Sequence, residues 1–196
     1  MSYIVVAYYT DDQIYRAHAQ RLLCSCTGLG IPADVVCVDS LGSWDRNTHY
    51  KPMFIRKMMD KYPGIAIAYT DADSEFLRYP RLFDTLDCDV GACVIDHSLY
   101  RQGRRNRPLE MTSGTMFFNN SAASRAIVDR WIEACKTRMK MWDQKILQEL
   151  VGETAYVLPR EYYQIFDYMK DMPKAIVRHY QASRTVRLLE KAKLIS

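Results

Sequence analysis

The stretch that decides the fold runs from Ile65 to Pro80 and reads IAIAYTDADSEFLRYP. It begins as an apolar run typical of a buried strand and then presents two aspartates one residue apart, Asp71 and Asp73. Two carboxylates at such close range repel each other, and burial would make the charged form of each less favourable. Either they lie in a solvated turn, or a positive group holds them together.

The composition is typical of a folded, soluble protein. The chain has 196 residues, of which 48% are hydrophobic and 12% aromatic, enough for a single domain over 1–196 with a basic C-terminal segment at 183–196. The net charge of +4 permits a polyanionic partner without requiring one. The six cysteines form no CxxC pair and no zinc-binding pattern, which indicates reduced thiols. Because no apolar run reaches the roughly 18 residues of a membrane span, we expect a cytoplasmic protein with no membrane partner.

Apolar runs and helical periodicities alternate along the chain. A Thr10–Gln13 capping box is expected to open the first helix, and a polar loop is expected around Trp44. Strands are predicted at 3–9, 33–39, 65–70, 89–96, 113–120, 155–159 and 175–180, with helices up to Gly28, within 50–64, near 80–86, at 121–141, at 143–152 and after Ser183. This alternation predicts an α/β sandwich with a mostly parallel central sheet.

Polar residues follow several of the predicted strands. Ligands of such sheets bind at the carboxyl ends of the strands, so these residues are expected to share one rim. Carboxylates with one histidine suit a divalent cation, Mn²⁺ or Mg²⁺. An Asp-x-Asp triplet alone is a weak signal, because any surface turn can contain one. The rim residues are Thr10, Asp39, Asp71, Asp73, Asp96 and His179.

Several short segments, taken in order, carry a more specific signal. They are VVAYYT, KPMFIRKMM followed by GIAIAYTDAD, VGACVID, TSGTMFFNN, WDQKILQEL and VRHYQAS. In this order and spacing the chain, from about Tyr3 to Arg184, resembles the GT-A glycosyltransferases, a group that includes glycogenin and the bacterial lipopolysaccharide galactosyltransferases. The resemblance implies a GT-A fold and transfer of a sugar from a nucleotide sugar, most simply a UDP-sugar, to an acceptor hydroxyl. It also implies metal dependence and retention of the anomeric configuration.

The same resemblance implies a role for each matching residue. Asp71, Asp73 and His179 would bind the metal. Tyr8, Thr10, Asp39, Lys51, Asp71 and Ala72 would bind the nucleotide. Asp96, Ser113 and Gly114 would bind the donor sugar, and Asp143 and Gln144 would lie near the anomeric carbon as the catalytic pair.

The chain also departs from the family pattern. Lys145 stands where the family often has an acidic residue, which argues against a carboxylate nucleophile. The family ending HFxGxxKPW is absent, and Arg184 or Arg187 would bind the diphosphate in place of its lysine.

Plain structural roles remain open for several of these residues. His179 could be a hydrogen-bonded residue at a strand end, and Asp143 could only cap a helix. Lys51 could be surface charge, and Gly114 a strand bend. Trp131 and Trp142 are both expected in the core.

The acceptor is indicated by one basic loop. Arg101, Arg104, Arg105 and Arg107 lie within YRQGRRNRP, after a strand that ends at the rim. Such a loop is either a solvated basic surface or a site for an anionic acceptor. One candidate is a hydroxymethylated base of DNA, as in phage glucosyltransferases, which the enzyme would have to extrude from the stack. A glycan or a small molecule is the alternative acceptor.

Two other protein classes compete with a transferase. A noncatalytic nucleic-acid-binding module would use the arginine loop, but it would leave the acidic rim unexplained. A phosphohydrolase of the haloacid-dehalogenase type also carries Asp-x-Asp after a strand. Its pattern has Thr or Val where this chain has Glu75, and it uses the first strand rather than the third.

Overall fold

A computed structural model of the chain describes residues 2–100, 109–170 and 172–193. The first half contains β1 (Tyr3–Thr10), α1 (Gln13–Gly28), β2 (Ala33–Val38), α2 (Trp44–His49), α3 (Lys51–Lys61), β3 (Ala66–Thr70), β4 (Ser74–Phe76) and β5 (Val90–Ile95). The second half contains β6 (Glu110–Phe118), α4 (Ala122–Thr137), α5 (Asp143–Val151), β7 (Tyr156–Leu158), β8 (Gln164–Ile165), β9 (Val177–His179) and α6 (Ala182–Lys193). Short 3₁₀ turns lie at Arg81–Asp84, His97–Leu99, Gly152–Thr154 and Arg160–Tyr162.

The central sheet has the strand order β2-β1-β3-β6-β5-β7. Five of these strands run in the same direction, and β6 runs antiparallel to both of its neighbours. The predicted α/β sandwich with a mostly parallel sheet is therefore confirmed. A second sheet, β4-β9-β8, lies after the Asp-x-Asp turn and pairs Ser74 with His179.

Alternate residues of the central strands enter two apolar layers. Along β1, Ile4 and Val6 pack with α3, α4 and α5, whereas Val5 and Ala7 pack with α1 on the opposite face. This period-two alternation with apolar residues on both faces is what a sheet covered by helices requires. None of the helices in the described ranges combines the length and the apolar character that crossing a membrane requires.

Several predicted boundaries were wrong. The cap of α1 is Asp12, whose Oδ1 accepts from the Ile14 N–H at 2.8 Å, while Thr10 ends β1. The polar loop around Trp44 contains the short helix α2, capped by Ser43. The sequence also gave no sign of β4 and β8, which are only two or three residues long.

The predicted helix at 121–141 ends early. Helix α4 stops at Thr137, and residues 138–142 form a loop that leads into α5. This loop changes the environment of the second tryptophan. Trp131 is fully buried, as expected, but Trp142 is 51% exposed and does not belong to the core.

Candidate active site

A cavity of about 250 Å³ opens where β1 and β3 end beside β6, α2 and α5. Most of the residues that the sequence placed in a donor site lie in its wall. These are Tyr8, Thr10, Lys51, Asp71, Ala72, Asp73, Ser113, Gly114, Asp143 and Gln144. Residues from five separate elements or turns thus meet at one edge of the sheet, as expected for an α/β fold.

The Asp-x-Asp turn and the end of β9 together form a cluster of metal-ligating side chains. One ligand atom each from Asp71, Asp73 and His179 lies within 4.8 Å of the other two. His179 reaches the turn from the second sheet, where the Tyr180 N–H donates to the Asp73 carbonyl oxygen at 2.8 Å. The pairing of β4 with β9 therefore brings together ligands that are far apart in the sequence.

The protonation and the hydrogen bonding of the His179 imidazole are those expected of a metal ligand. Burial and, to a smaller extent, the Lys51 ammonium lower the pKa of His179 to about 3, so the ring is neutral at pH 7. Its Nε2 lies 2.9 Å from the Thr115 hydroxyl, and its Nδ1 has no hydrogen-bond partner among the described residues. With the proton on Nε2, the Nδ1 lone pair is free, and an unpartnered buried nitrogen is costly unless something binds it.

The charged form of Asp73 is also unfavourable in the folded protein. Burial and the neighbouring Asp71 carboxylate raise the pKa of Asp73 to about 7, even though the Ala182 N–H donates to its Oδ2 at 2.6 Å. Gln181, in the left-handed region with φ of 56°, makes the turn that aims this N–H. Two carboxylates and a neutral histidine form a donor set that fits a divalent cation such as Mn²⁺ or Mg²⁺.

The other wall of the cavity contains its own positive charge. Lys51 at the start of α3 is buried, and its Nζ lies 3.1 Å from Asp71 Oδ1 and 3.4 Å from Asp143 Oδ2. Burial alone lowers the pKa of Lys51, but the carboxylates of Asp143 and Asp71 outweigh that effect and raise it. Lys51 is therefore a buried cation rather than surface charge.

Ser113 and Asp143 complete this buried cluster. Lys51 Nζ donates to Ser113 Oγ at 2.8 Å, and Ser113 Oγ donates to Asp143 Oδ2 at 2.8 Å. The Asp143 side chain is thus engaged with β6, while Trp142 occupies the cap position of α5 without a side-chain hydrogen bond. The Trp131 indole N–H fixes the Asp143 carbonyl oxygen at 3.0 Å. Asp143 serves the cluster and not a helix cap.

Gly114 is required where the two walls meet. A Cβ at this position would lie 2.4 Å from Tyr163 Cε2 and 3.1 Å from Asp71 Oδ2. The Tyr163 ring in turn packs on His179, with 4.2 Å between the ring centroids. The absence of a side chain at Gly114 lets Tyr163 approach the Asp-x-Asp turn closely.

Three other predicted residues lie elsewhere in the described part of the chain. Asp39 is exposed just beyond β2. Asp96 caps the 3₁₀ turn that follows β5 and accepts from the Ser98 N–H at 2.9 Å. Arg184 forms an exposed ion pair with Asp167 at 2.9 Å. None of these three is in the cavity wall formed by the described residues, and the acceptor arginines Arg101, Arg104, Arg105 and Arg107 lie outside the described ranges.

The cavity also contains residues that the sequence analysis missed. Trp44 and Trp142, which are 40% and 51% exposed, both lie in its wall, as do Asn47, Tyr163 and Gln181. The Tyr8 hydroxyl donates to the Asn47 carbonyl oxygen at 2.6 Å, which ties β1 to α2. The position of Trp142 directly before Asp143 and Gln144 could have indicated that it lines the cavity. The helical spacing of the apolar residues around it suggested a buried side chain instead.

Comparisons with known proteins agree with this geometry. The sequence profile of the nucleotide-diphospho-sugar transferases matches residues 6–186. The chain belongs to this family. A comparison with curated protein sequences found no match.

Several solved structures with a similar fold are glycosyltransferases. A glycosyltransferase involved in the glycosylation of the major capsid of PBCV-1 has a TM-score of 0.67 and 12% identity, over 97% of this chain and 100% of that one. The galactosyltransferase LgtC, solved with donor and acceptor sugar analogs, has a TM-score of 0.58 and 13% identity, over 96% of this chain and 95% of its own. GlyE of Streptococcus pneumoniae has a TM-score of 0.59 and 15% identity, over 92% of this chain and 54% of its own.

At these identities the structural likeness shows the fold, and the family match shows the class of enzyme. The predicted GT-A fold and glycosyltransferase class are both confirmed, and the family speaks against the phosphohydrolase alternative. A nucleotide-sugar donor is what this family uses.

Proposed function

We propose that the protein transfers a glycosyl unit from a UDP-sugar to an acceptor hydroxyl, with Mn²⁺ or Mg²⁺ held by Asp71, Asp73 and His179. The observation that carries this proposal is the cluster of Asp71, Asp73 and His179, in which the buried His179 Nδ1 has no hydrogen-bond partner among the described residues. When bound, a divalent cation neutralises negative charge that develops on the leaving diphosphate.

The residues around the cluster have complementary tasks. Tyr8, Thr10 and Ala72 line the side of the cavity next to the Asp-x-Asp turn and would hold the nucleoside. Lys51 places a fixed positive charge beside Asp71, so the donor meets an electrostatic environment that is already organised. Ser113 and Gly114 on β6 form the floor on which the donor sugar would lie.

Retention of configuration would not need Asp143 as a nucleophile if the acceptor attacks the face of the sugar that the diphosphate leaves. The Asp143 Oδ2 already accepts from Ser113 and lies 3.4 Å from the Lys51 ammonium, so it is poorly placed to act as a nucleophile. In the reaction that we propose, the bond between the anomeric carbon and the diphosphate oxygen breaks as the acceptor oxygen bonds to that carbon. The acceptor proton passes to the departing diphosphate, and no oxidation or reduction occurs. Gln144, beside Asp143 in the cavity wall, would contact the reacting sugar.

A thermal-stability screen of nucleotides with and without Mn²⁺ tests this proposal. A ligand present at 100 times its dissociation constant stabilises the folded state by about 2.7 kcal/mol, so UDP with Mn²⁺ should raise the melting temperature. Asp73→Asn should abolish the Mn²⁺-dependent part of the shift. The exposed Asp87→Asn is the charge-matched control and should retain it. If no nucleotide stabilises the wild-type protein in the presence of Mn²⁺, the proposal is wrong.

A hydroxymethylated DNA base remains a prediction for the acceptor that rests on the arginine loop alone. Incubation of the enzyme and UDP-sugar with a duplex containing 5-hydroxymethylcytosine would show a mass increase of one sugar per modified base if it is right. Phosphate contacts would make duplex binding weaken as salt rises. An absence of both transfer and low-salt binding would exclude DNA as the acceptor.

A further inference from the structure

A second cavity, of about 630 Å³, adjoins the first. It is formed by the loop 138–142 between α4 and α5 together with the first turn of α5. Trp142 lies in the wall of both cavities, so this side chain separates the two. We call this second cavity the loop cavity.

The charge of the loop cavity is one-sided. Its described wall contains Arg138, Lys140 and Lys145 and no acidic residue. Arg138 is neutralised by Glu149 at 2.6 Å. Lys140 and Lys145 have no carboxylate partner in the part of the chain that the structure describes. Two unneutralised ammonium groups next to a transferase site favour an anionic ligand.

The loop cavity also has an exposed aromatic surface, formed by Trp142. Trp142 is 51% exposed, whereas Trp131 on the preceding helix is fully buried. The Lys145 Nζ lies 5.4 Å from the centroid of a Trp142 ring, so charge and aromatic face are adjacent. An exposed indole offers a flat apolar surface against which the C–H face of a sugar ring can be buried.

A buried histidine fixes the position of the loop 138–142. The Met141 carbonyl oxygen lies 2.9 Å from His49 Nε2, and His49 Nδ1 lies 2.6 Å from the Asp45 carbonyl oxygen. The buried His49 therefore fastens the loop to α2, the helix that begins at Trp44. A binding surface fixed in advance avoids part of the ordering cost of association.

We propose that the loop cavity is the acceptor subsite and binds an anionic saccharide. The sugar ring lies on Trp142, and a carboxylate or phosphate of the same saccharide pairs with Lys140 and Lys145. This inference rests on the proposed function, because it gives that reaction its acceptor. The cavity volume is within the range of roughly 300–1,000 Å³ typical of small-molecule sites. A DNA duplex would need a much larger basic surface, on the order of 1,000 Å² or more.

Binding of matched sugars, measured by ligand-observed NMR, tests this inference. The probes are methyl β-D-glucuronide, methyl β-D-glucoside 6-phosphate and the neutral methyl β-D-glucoside. We expect at least one anionic probe to bind about five-fold more tightly than the neutral one, since two lysines contribute. The preference should decrease as ionic strength rises. Whichever anionic probe is preferred identifies the charged group.

Variants locate the site. In Lys140→Gln/Lys145→Gln the preference for the anionic probe should disappear, and in Trp142→Ala all three probes should bind more weakly. The control Lys170→Gln/Lys174→Gln removes the same charge at exposed positions outside both cavities and should retain the preference. Equal binding of all probes, or an unchanged preference in the double variant at the loop, would overturn the inference. A hydroxymethylcytosine duplex that binds through the same lysines while the sugars do not would also overturn it.

The two hypotheses fail separately. The saccharide probes are measured without nucleotide, and UDP with Mn²⁺ is measured without saccharide. Loss of the preference with intact UDP binding refutes only the acceptor subsite. Absence of UDP binding refutes the donor chemistry, and the saccharide data then show whether the loop cavity binds anionic sugars by itself.

Discussion

The two walls of the donor cavity treat negative charge differently. On one wall, Asp143 and Ser113 surround the Lys51 ammonium, and each polar group there has a partner. On the other wall, Asp73 lies beside Asp71 with its pKa raised to about 7. The neighbouring His179 is fully buried, and its Nδ1 has no partner within the described ranges. In the first wall the chain supplies its own counter-charge, whereas no cation of the described residues forms an ion pair with Asp73.

This difference indicates which side of the cavity would bind a cation. A buried carboxylate is tolerated when the chain supplies the counter-charge, as Lys51 does. Where the chain supplies no counter-charge, binding of a cation would stabilise the folded state. Asp71 takes part in both walls. Its Oδ1 lies 3.1 Å from Lys51 Nζ, and its carboxylate is also one of the three candidate metal ligands.

The largest effect is expected from removing the internal counter-charge. Lys51→Met should lower the free energy of unfolding by about 3–5 kcal/mol, because it leaves buried Asp143 without its cation. Urea denaturation measures this change. Lys57→Met on the same helix, where the lysine is exposed, should change it by less than about 0.5 kcal/mol.

A double variant separates charge from packing in that result. Lys51→Met/Asp143→Asn should recover part of the lost stability, because the amide needs no counter-charge. If the double variant is as unstable as Lys51→Met, the loss comes from packing and the comparison of the two walls fails.

The junction of the walls gives the next largest effect. Gly114→Ala forces a Cβ to 2.4 Å from Tyr163 Cε2, and such overpacking should cost about 1–3 kcal/mol of folding stability. Gly91→Ala on β5 is the matched control, since its Cβ would find contacts of 3.4 Å. Equal melting temperatures for the two variants would show that Tyr163 moves away without cost.

The next prediction concerns the role of His179 as a metal ligand. His179→Gln should weaken Mn²⁺ binding in the presence of UDP at least about tenfold, or about 1.4 kcal/mol, while the fold persists. Calorimetric titration with Mn²⁺ measures the change, and His18→Gln on α1 is the control. Unchanged Mn²⁺ affinity in His179→Gln would remove His179 from the metal site.

The smallest effect is a pH dependence of the metal-free protein. The folded-state pKa of Asp73, about 7, lies above that of an unfolded aspartate, so its contribution to stability is full below the unfolded pKa. That contribution is lost as the pH rises through about 7. Asp73→Asn cannot ionise, so with a chelator present its stability relative to wild type should increase by about 1 kcal/mol or more between pH 5 and pH 8. If the difference in unfolding free energy between the variant and the wild type is the same at pH 5 and pH 8, the pKa of Asp73 is not raised.

Local patterns predicted the parts of the fold that depend on local physics. The apolar run before Asp71 indicated a buried strand because strand burial is visible in a few consecutive residues. The reversed direction of β6 was not predictable in this way, because it depends on pairing with β3 and β5. The burial of Lys51 was equally hidden, since its partners come from β6 and α5.

The loop cavity shows how one wrong boundary hid a surface. Apolar residues continue at helical spacing beyond Thr137, so the pattern favoured a helix through Met141 and a buried Trp142. The structure ends α4 at Thr137, where the Arg138 N–H still bonds to the Ala134 carbonyl. That early end exposes the indole and the lysines on which the acceptor inference depends.

The pairing of β4 with β9 has a consequence for the synthesis of the protein. Asp71 and Asp73 leave the ribosome more than a hundred residues before His179, and at about 5–20 residues per second the interval lasts several seconds or longer. During that interval the nascent chain has the two carboxylates without the imidazole and without the Ala182 N–H that binds Asp73. The three candidate metal ligands therefore come together only as β9 docks. Under the proposed function, Mn²⁺ affinity would report that this last strand has docked.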